Sequence, residues 1–141
     1  MVDAESYIDI NIFIYWLGNH PSFGETAYKW IKKIENSPHG KYVTSSLTLY
    51  ETLIFIAGLT GKSLRDTPLV EGVIDSITNL KGLLIDQLRP EDLTQAVDLM
   101  KKYDLDYEDS LHLATALRKG AKEIISNDAD FDKTPLRRTF L

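Results

Sequence analysis

Cysteine is absent from the 141 residues. Its absence excludes a disulfide framework, a cysteine zinc site and a thiol nucleophile, and it fits a chain kept in a reducing compartment. No apolar run approaches the roughly 18–20 residues of a membrane span, and Asp3 and Glu5 near the start do not suit a signal peptide. A cytoplasmic protein with no membrane association is therefore expected. Basic residues are in deficit, with 16 Lys+Arg against 21 Asp+Glu and a net charge of −5. Bulk positive potential does not hold a nucleic acid here, so a phosphate-bearing partner must be met by local basic groups or by a bound cation. Repeats, low-complexity stretches and long linkers are missing too, and a single domain over residues 1–141 is expected. What remains is ordinary globular composition, 43% apolar and 26% charged, which argues against disorder.

Four short β-rich runs are bounded by turn or charge signals: Tyr7-Ile8 leading to Asp9, Tyr42 to Ser45, Leu83 to Asp86, and Glu123 to Ser126. A weaker fifth, Arg138 to Leu141, ends the chain. Helical periods lie between them. Ile12 to Leu17 is apolar on every side and stops at Gly18, which reads as a buried helix. Glu25 to Ile34 pairs an apolar stripe with a basic face of Lys29, Lys32 and Lys33. Pro68 and Pro90 each open a helix, and a last long helix runs from about Tyr107 to Lys119. Strands alternating with helices imply parallel pairing through crossovers, hence an α/β fold with helices on both faces of the sheet. Ligands of such sheets bind outside the carboxyl ends of the strands.

The acids fall at those ends. Asp9 follows the first strand, where it serves equally as a helix cap or a site residue, and Asn11 adds a second polar group beyond what a cap needs. Glu51 has Leu47, Ile54 and Phe55 as helical neighbours, so it is expected on a core-facing stripe where an unpaired charge is costly. Its bland alternative is a capping box, Thr48-x-x-Glu51. Asp109 heads a face with His112, Leu113 and Ala116, whereas Glu108 is explained as a helix-start acid. Asp128 lies just beyond the fourth strand, while Asp132 reads as part of a polar turn. Several carboxylates brought together repel unless protonated or shared by a cation. An oxygen-only set suits Mg²⁺ or Mn²⁺, which would also reconcile an acidic protein with a phosphodiester substrate.

In series, Ile8-Asp9-Ile10-Asn11, Leu49-Tyr50-Glu51, Asp109-Ser110-Leu111-His112-Leu113-Ala114-Thr115-Ala116 and Ile125-Ser126-Asn127-Asp128-Ala129-Asp130-Phe131 resemble the motifs of the PIN domains, in particular the VapC-like toxin ribonucleases of prokaryotes. The resemblance covers nearly the whole chain. It implies a three-layer α/β/α sandwich around a parallel sheet of four or five strands, and Mg²⁺- or Mn²⁺-dependent endoribonuclease activity on RNA. It also implies a cognate antitoxin that blocks the site, and a homodimer. The family's acidic quartet maps onto Asp9, Glu51, Asp109 and Asp128 as catalytic and metal-binding residues, with Asp130 as an additional acid. Asn11 and Ser126 map onto positions that place substrate or water. Ile10 stands where the family more often has a small or hydroxylated residue, and Ser126 replaces the more usual Thr.

Two rival readings follow from the same residues. Asp9 could be the nucleophile of an aspartyl-phosphate phosphotransferase or phosphatase, but Asn11 occupies the place of the second acid and Lys122 precedes the fourth strand rather than ending one. A non-catalytic binding module would keep the fold and hold a protein partner. His20, His39 and His112 lack a zinc spacing, and His112 reads as a helix-face residue. Lys62, Arg65, Arg118, Arg137 and Arg138 are candidates for steering RNA phosphates, with surface solubility as the default. Tyr15, Trp16 and Trp30 read as helix-stripe residues before base-stacking ones.

Overall fold

A computed structural model describes residues 4–141; Asp3 lies outside the described residues. In chain order the elements are β1 (Ser6–Ile8), α1 (Ile10–Leu17), α2 (Gly24–Glu35), β2 (Tyr42–Ser45), α3 (Ser46–Thr60), α4 (Thr67–Thr78), β3 (Leu83–Asp86), α5 (Pro90–Tyr103), α6 (Tyr107–Arg118), β4 (Glu123–Ile125), a short 3-10 helix (Ala129–Lys133) and β5 (Arg137–Thr139). The strands form one sheet in the order β3-β2-β1-β4-β5, and every pair is parallel. The weak fifth run, expected over Arg138 to Leu141, is an edge strand over Arg137–Thr139, so Phe140 and Leu141 lie beyond it.

Successive residues of a strand point to opposite faces, and here both faces are covered. Ile8, Tyr42, Leu83 and Ile125 enter a core with Ile12, Phe13, Ile31, Ile34, Leu53, Ile56 and Ile77 from α1 to α4. Their neighbours Tyr7, Val43 and Ile124 enter a second core with Leu99, Leu113, Ala116 and Phe131 from α5, α6 and the 3-10 helix. Two cores on one sheet make the α/β/α layering. α1 differs from expectation: it packs against α2 and α3, yet only Ile12 and Phe13 are fully buried and Ile14 to Leu17 are partly open. No helix among the described residues is long and apolar enough to cross a membrane.

The chain leaves β1 to one side to build β2 and β3, then returns across β1 to build β4 and β5. The reversal opens a crevice beyond the carboxyl ends of β1 and β4, between the loops that carry Asp9 and Asp128.

Candidate active site

Asp9 and Asp128 each cap the helix they precede, whereas Asp109 lies in the first turn of a helix capped by another residue. Asp9 leaves β1 in extended backbone, and its Oδ1 accepts the Ile10 N–H at 2.9 Å. Its Oδ2 turns into the crevice, where it accepts the Ser126 hydroxyl at 2.6 Å and Asn11 Nδ2 at 3.3 Å. The residue is only 3% exposed. One oxygen of Asp9 therefore caps α1, and the other is held by Ser126 and Asn11. For α6 the cap is Asp106, whose Oδ1 accepts the Asp109 N–H at 2.8 Å, so the Asp109 carboxylate is not consumed by capping. Asp128 caps the 3-10 helix by accepting the Asp130 N–H at 2.9 Å, and its own N–H donates to Ser126 Oγ at 3.0 Å. Asn11 Nδ2 also reaches Ser126 Oγ at 3.2 Å, and Asn11 Oδ1 accepts the Asn127 N–H at 3.3 Å. Ser126 and Asn11 thus bind the β1 and β4 loops into one unit.

The structure gathers Asp109, Asp128 and Asp130: one carboxylate oxygen from each lies within 4.8 Å of the other two. Asp9 stands behind this trio, coupled through its charge to Asp109 and Asp128. The Asp109 pKa is pushed up to about 7 by burial, then by the negative charges of Asp106, Asp128 and Asp9, with His112 opposing them. Burial also raises Asp9, against His112 and the hydrogen bonds from Ser126 and Ile10. Lys133 reaches Asp130 at 3.7 Å, and the acids around Asp109 still outweigh His112 in their effect on it. Three clustered hard oxygens with excess charge match the preference of Mg²⁺ or Mn²⁺ for a few carboxylates, so the donor set fits such an ion.

Glu51 does not join the trio. Ser45 caps α3, its Oγ accepting the Leu47 N–H at 3.0 Å, so the Thr48-x-x-Glu51 box is not formed. Thr48 is instead buried and accepts the Thr44 hydroxyl at 2.8 Å. The expected core-facing stripe is also corrected. α3 buries Thr48, Thr52, Leu53, Ile56 and Ala57, while Ile54 and Phe55 are each 48% exposed, which leaves Glu51 at the border of the buried face. There its Oε1 meets His112 Nε2 at 2.8 Å, and it shares a hydrogen bond with Glu108. Burial pushes Glu51 up, but these two bonds outweigh it and hold the carboxyl below its ordinary value. Glu108 is raised to about 7, first by its bond to Glu51 and then by burial. The negative charge of Glu51 thus favours the protonated form of its neighbour Glu108. Ile10, Ile14, Ile54 and Phe55 wall a cavity of about 350 Å³ above the two glutamates.

Glu108, His112 and Tyr7 are the site residues that sequence reasoning passed over. The spacing held a signal: Glu108 and His112 are four residues apart and share a helix face. The basic and aromatic candidates are paired within the fold. Arg118 is held by Asp86 at 2.6 Å and by Asp92 at 2.8 and 2.9 Å, Arg137 pairs with Glu123, and Arg138 with Asp132. Trp30 is packed partly buried against the first core, its Nε1 donates to the Phe140 carbonyl at 2.7 Å and Lys33 lies over its ring, in keeping with a helix-stripe residue. Lys122 abuts the amino end of β4, opposite the crevice, so Asp9 has no strand-end lysine from that source.

Comparison with known proteins agrees with the fold. No curated protein matches the sequence. Among solved structures, the crystal structure of Mycobacterium tuberculosis VapC20, described as a Sarcin-Ricin loop cleaving toxin, is similar with a TM-score of 0.73 at 16% identity, covering 94% of this chain and 99% of that one. VapBC2 from Rickettsia felis, bound to a DNA fragment from its promoter, gives 0.67 at 16% identity over 95% and 96%. A toxin-antitoxin complex from Klebsiella pneumoniae gives 0.63 at 20% identity over 94% and 99%. A model of the PIN domain matches residues 6–136, nearly the full length, and the chain belongs to the PIN domain family.

Proposed function

We propose that this protein is a divalent-cation-dependent endoribonuclease, carried on a single domain, and the toxin of a toxin-antitoxin pair. The observation that carries the reading is the convergence of Asp109, Asp128 and Asp130 in front of the buried Asp9. Asp109, Asp128 and Asp130 would hold Mg²⁺ or Mn²⁺, with Asp9 supplying further negative charge behind them. When bound, such an ion supplies positive charge for the phosphoryl oxygens and acidifies water near it.

The remaining work falls to the chain itself. The Ser126 hydroxyl fixes Asp9 Oδ2, and Asn11 braces Ser126, so the acids start in place and need little reorganisation. Glu51 orients the attacking water and accepts its proton, and Glu108 serves as the partner through which that proton is shared. In-line attack on the phosphodiester then breaks the P–O3′ bond, and the departing 3′ oxygen takes a proton from solvent, which leaves 5′-phosphate and 3′-hydroxyl ends. This assignment gives Glu51 a proton-handling role in place of the ligand role implied by the family resemblance.

An antitoxin partner is supported by the solved relatives that are toxin-antitoxin complexes. It is supported too by the exposed apolar side chains of α3, Tyr50, Ile54, Phe55 and Leu59, of which Ile54 and Phe55 line a cavity with Glu51 and Glu108. A second copy of the chain would use apolar surface of the same kind to form the expected homodimer. The reading is tested by incubating the purified protein with single-stranded RNA in Mg²⁺, in Mn²⁺ and in EDTA. Cleavage with either ion, 5′-phosphate ends, and loss in both EDTA and Asp109→Asn are expected. Undiminished cleavage by Asp109→Asn would overturn it.

A further inference from the structure

His112 has no part in the acidic trio, yet its ring is enclosed beside the crevice, at 1% exposure. Its Nδ1 lies 2.6 Å from the Tyr7 hydroxyl, which is itself buried on β1, and its Nε2 lies 2.8 Å from Glu51 Oε1. Its chain neighbours Leu111, Leu113 and Ala114 are all buried, so an aliphatic side chain would suit this stretch of α6. A buried polar bridge of this sort gives little stability over an apolar residue of similar size. Something other than packing calls for an imidazole here.

We propose that His112 is a positioning residue for Glu51, oriented by Tyr7, so that a chain Tyr7–His112–Glu51 sets the carboxylate of α3 against the acids carried by α6. The inference rests on the nuclease reading of the crevice and deepens it. Ring chemistry supports a fixed direction. Ionised Glu51 only accepts, so the proton facing it must sit on Nε2. A neutral imidazole then presents a bare Nδ1, and the Tyr7 hydroxyl donates to it; a charged imidazole instead donates to the Tyr7 oxygen. In either state Nε2–H points at Glu51. Geometry supplies the purpose. Asp109 and His112 are one turn apart on α6, whereas Glu51 comes from another helix whose adjoining residues Ile54 and Phe55 face solvent. His112 is the α6 side chain whose ring nitrogen meets the Glu51 carboxylate directly, at 2.8 Å.

The test combines spectroscopy with kinetics on the full chain. Imidazole ¹⁵N NMR of the wild type should show a proton on Nε2 of His112, shifted by Glu51→Ala and weakened by Tyr7→Phe. With single-stranded RNA, His112→Leu should lower kcat by roughly 10- to 100-fold with KM and Mn²⁺ affinity unchanged, the usual cost of removing a group that orients an active residue. His112→Gln, which keeps an N–H donor for Glu51, should restore most of kcat; a purely structural histidine would not give that split or that rescue. A proton found only on Nδ1, or an Nε2 signal indifferent to Glu51→Ala, overturns the proposal whether or not RNA is cut. A wild type that cuts no RNA overturns the nuclease reading, while the NMR arm decides the His112–Glu51 assignment independently.

Discussion

Replacing Asp109 by Asn should stabilise the cation-free protein, in contrast to the usual effect of altering a half-buried residue. The fold raises this carboxyl from an ordinary 3.8 to about 7 through burial and through the charges of Asp106, Asp128 and Asp9. Between those values the unfolded chain binds fewer protons at this position than the folded one, so stability falls as pH rises through the window. The full difference corresponds to about 4 kcal/mol at pH 8, and screening by water at the open crevice reduces it to about 1–2 kcal/mol. At about 0.3 kcal/mol per kelvin for a chain of this length, Asp109→Asn should melt about 3–6 °C higher than wild type at pH 8. The gain should shrink steadily below pH 7 and vanish near pH 3.8, where both states are protonated. Mg²⁺ or Mn²⁺ should raise the wild-type melting temperature and leave that of Asp109→Asn nearly unchanged. Differential scanning calorimetry across pH, in EDTA and then with each cation, measures all of this. A variant that melts below wild type at pH 8, or the same gain at every pH, would refute the electrostatic reasoning.

Other expected outcomes rest on separate contacts. Asp9→Asn keeps the shape of the side chain and removes its charge, so circular dichroism should be native while RNA cleavage falls at least about 100-fold. Ser126→Ala removes the hydroxyl shared by Asp9, Asn11 and Asp128; chemical denaturation should show a loss of about 1–3 kcal/mol, and titration calorimetry a weaker Mn²⁺ affinity. Arg118→Met strands Asp92, which is 2% exposed, and should cost about 3–5 kcal/mol, or about 10–15 °C of melting temperature at neutral pH. Burial pushes Asp92 up, but Arg118 and the Arg89 N–H outweigh it and hold it below 3.8. That stability is complete above 3.8 and disappears as pH falls through the lower folded value, so the gap between Arg118→Met and wild type should close in acid.

The strand positions were legible because each run is short, apolar and bounded by charge or turn residues, and the parallel order followed from their alternation with helices. Asp9, Asp109 and Asp128 were legible for a related reason: they sit at strand ends and helix starts, and the topology fixes where those points go. Glu51 was harder. Its neighbours Ile54 and Phe55 look like core residues in a one-dimensional pattern, whereas the packing of α3 turns them outward. Spacing along one helix likewise shows that Glu108 and His112 share a face, but it is silent on what arrives from β1 and α3 to meet them. Tyr7 and Glu51 are 105 and 61 residues away from His112. Arg118 illustrates the same limit: its partners Asp86 and Asp92 come from a strand end and another helix, so its apparent freedom in the sequence is lost in the fold.

Anomalous diffraction from crystals grown with Mn²⁺ addresses the proposed ion site most directly. A peak within coordination distance of carboxylate oxygens from Asp109, Asp128 and Asp130, absent from Asp109→Asn crystals, is the expected result. A well-ordered crevice that gathers no manganese at millimolar concentration, or a peak that persists in the variant, would contradict the account.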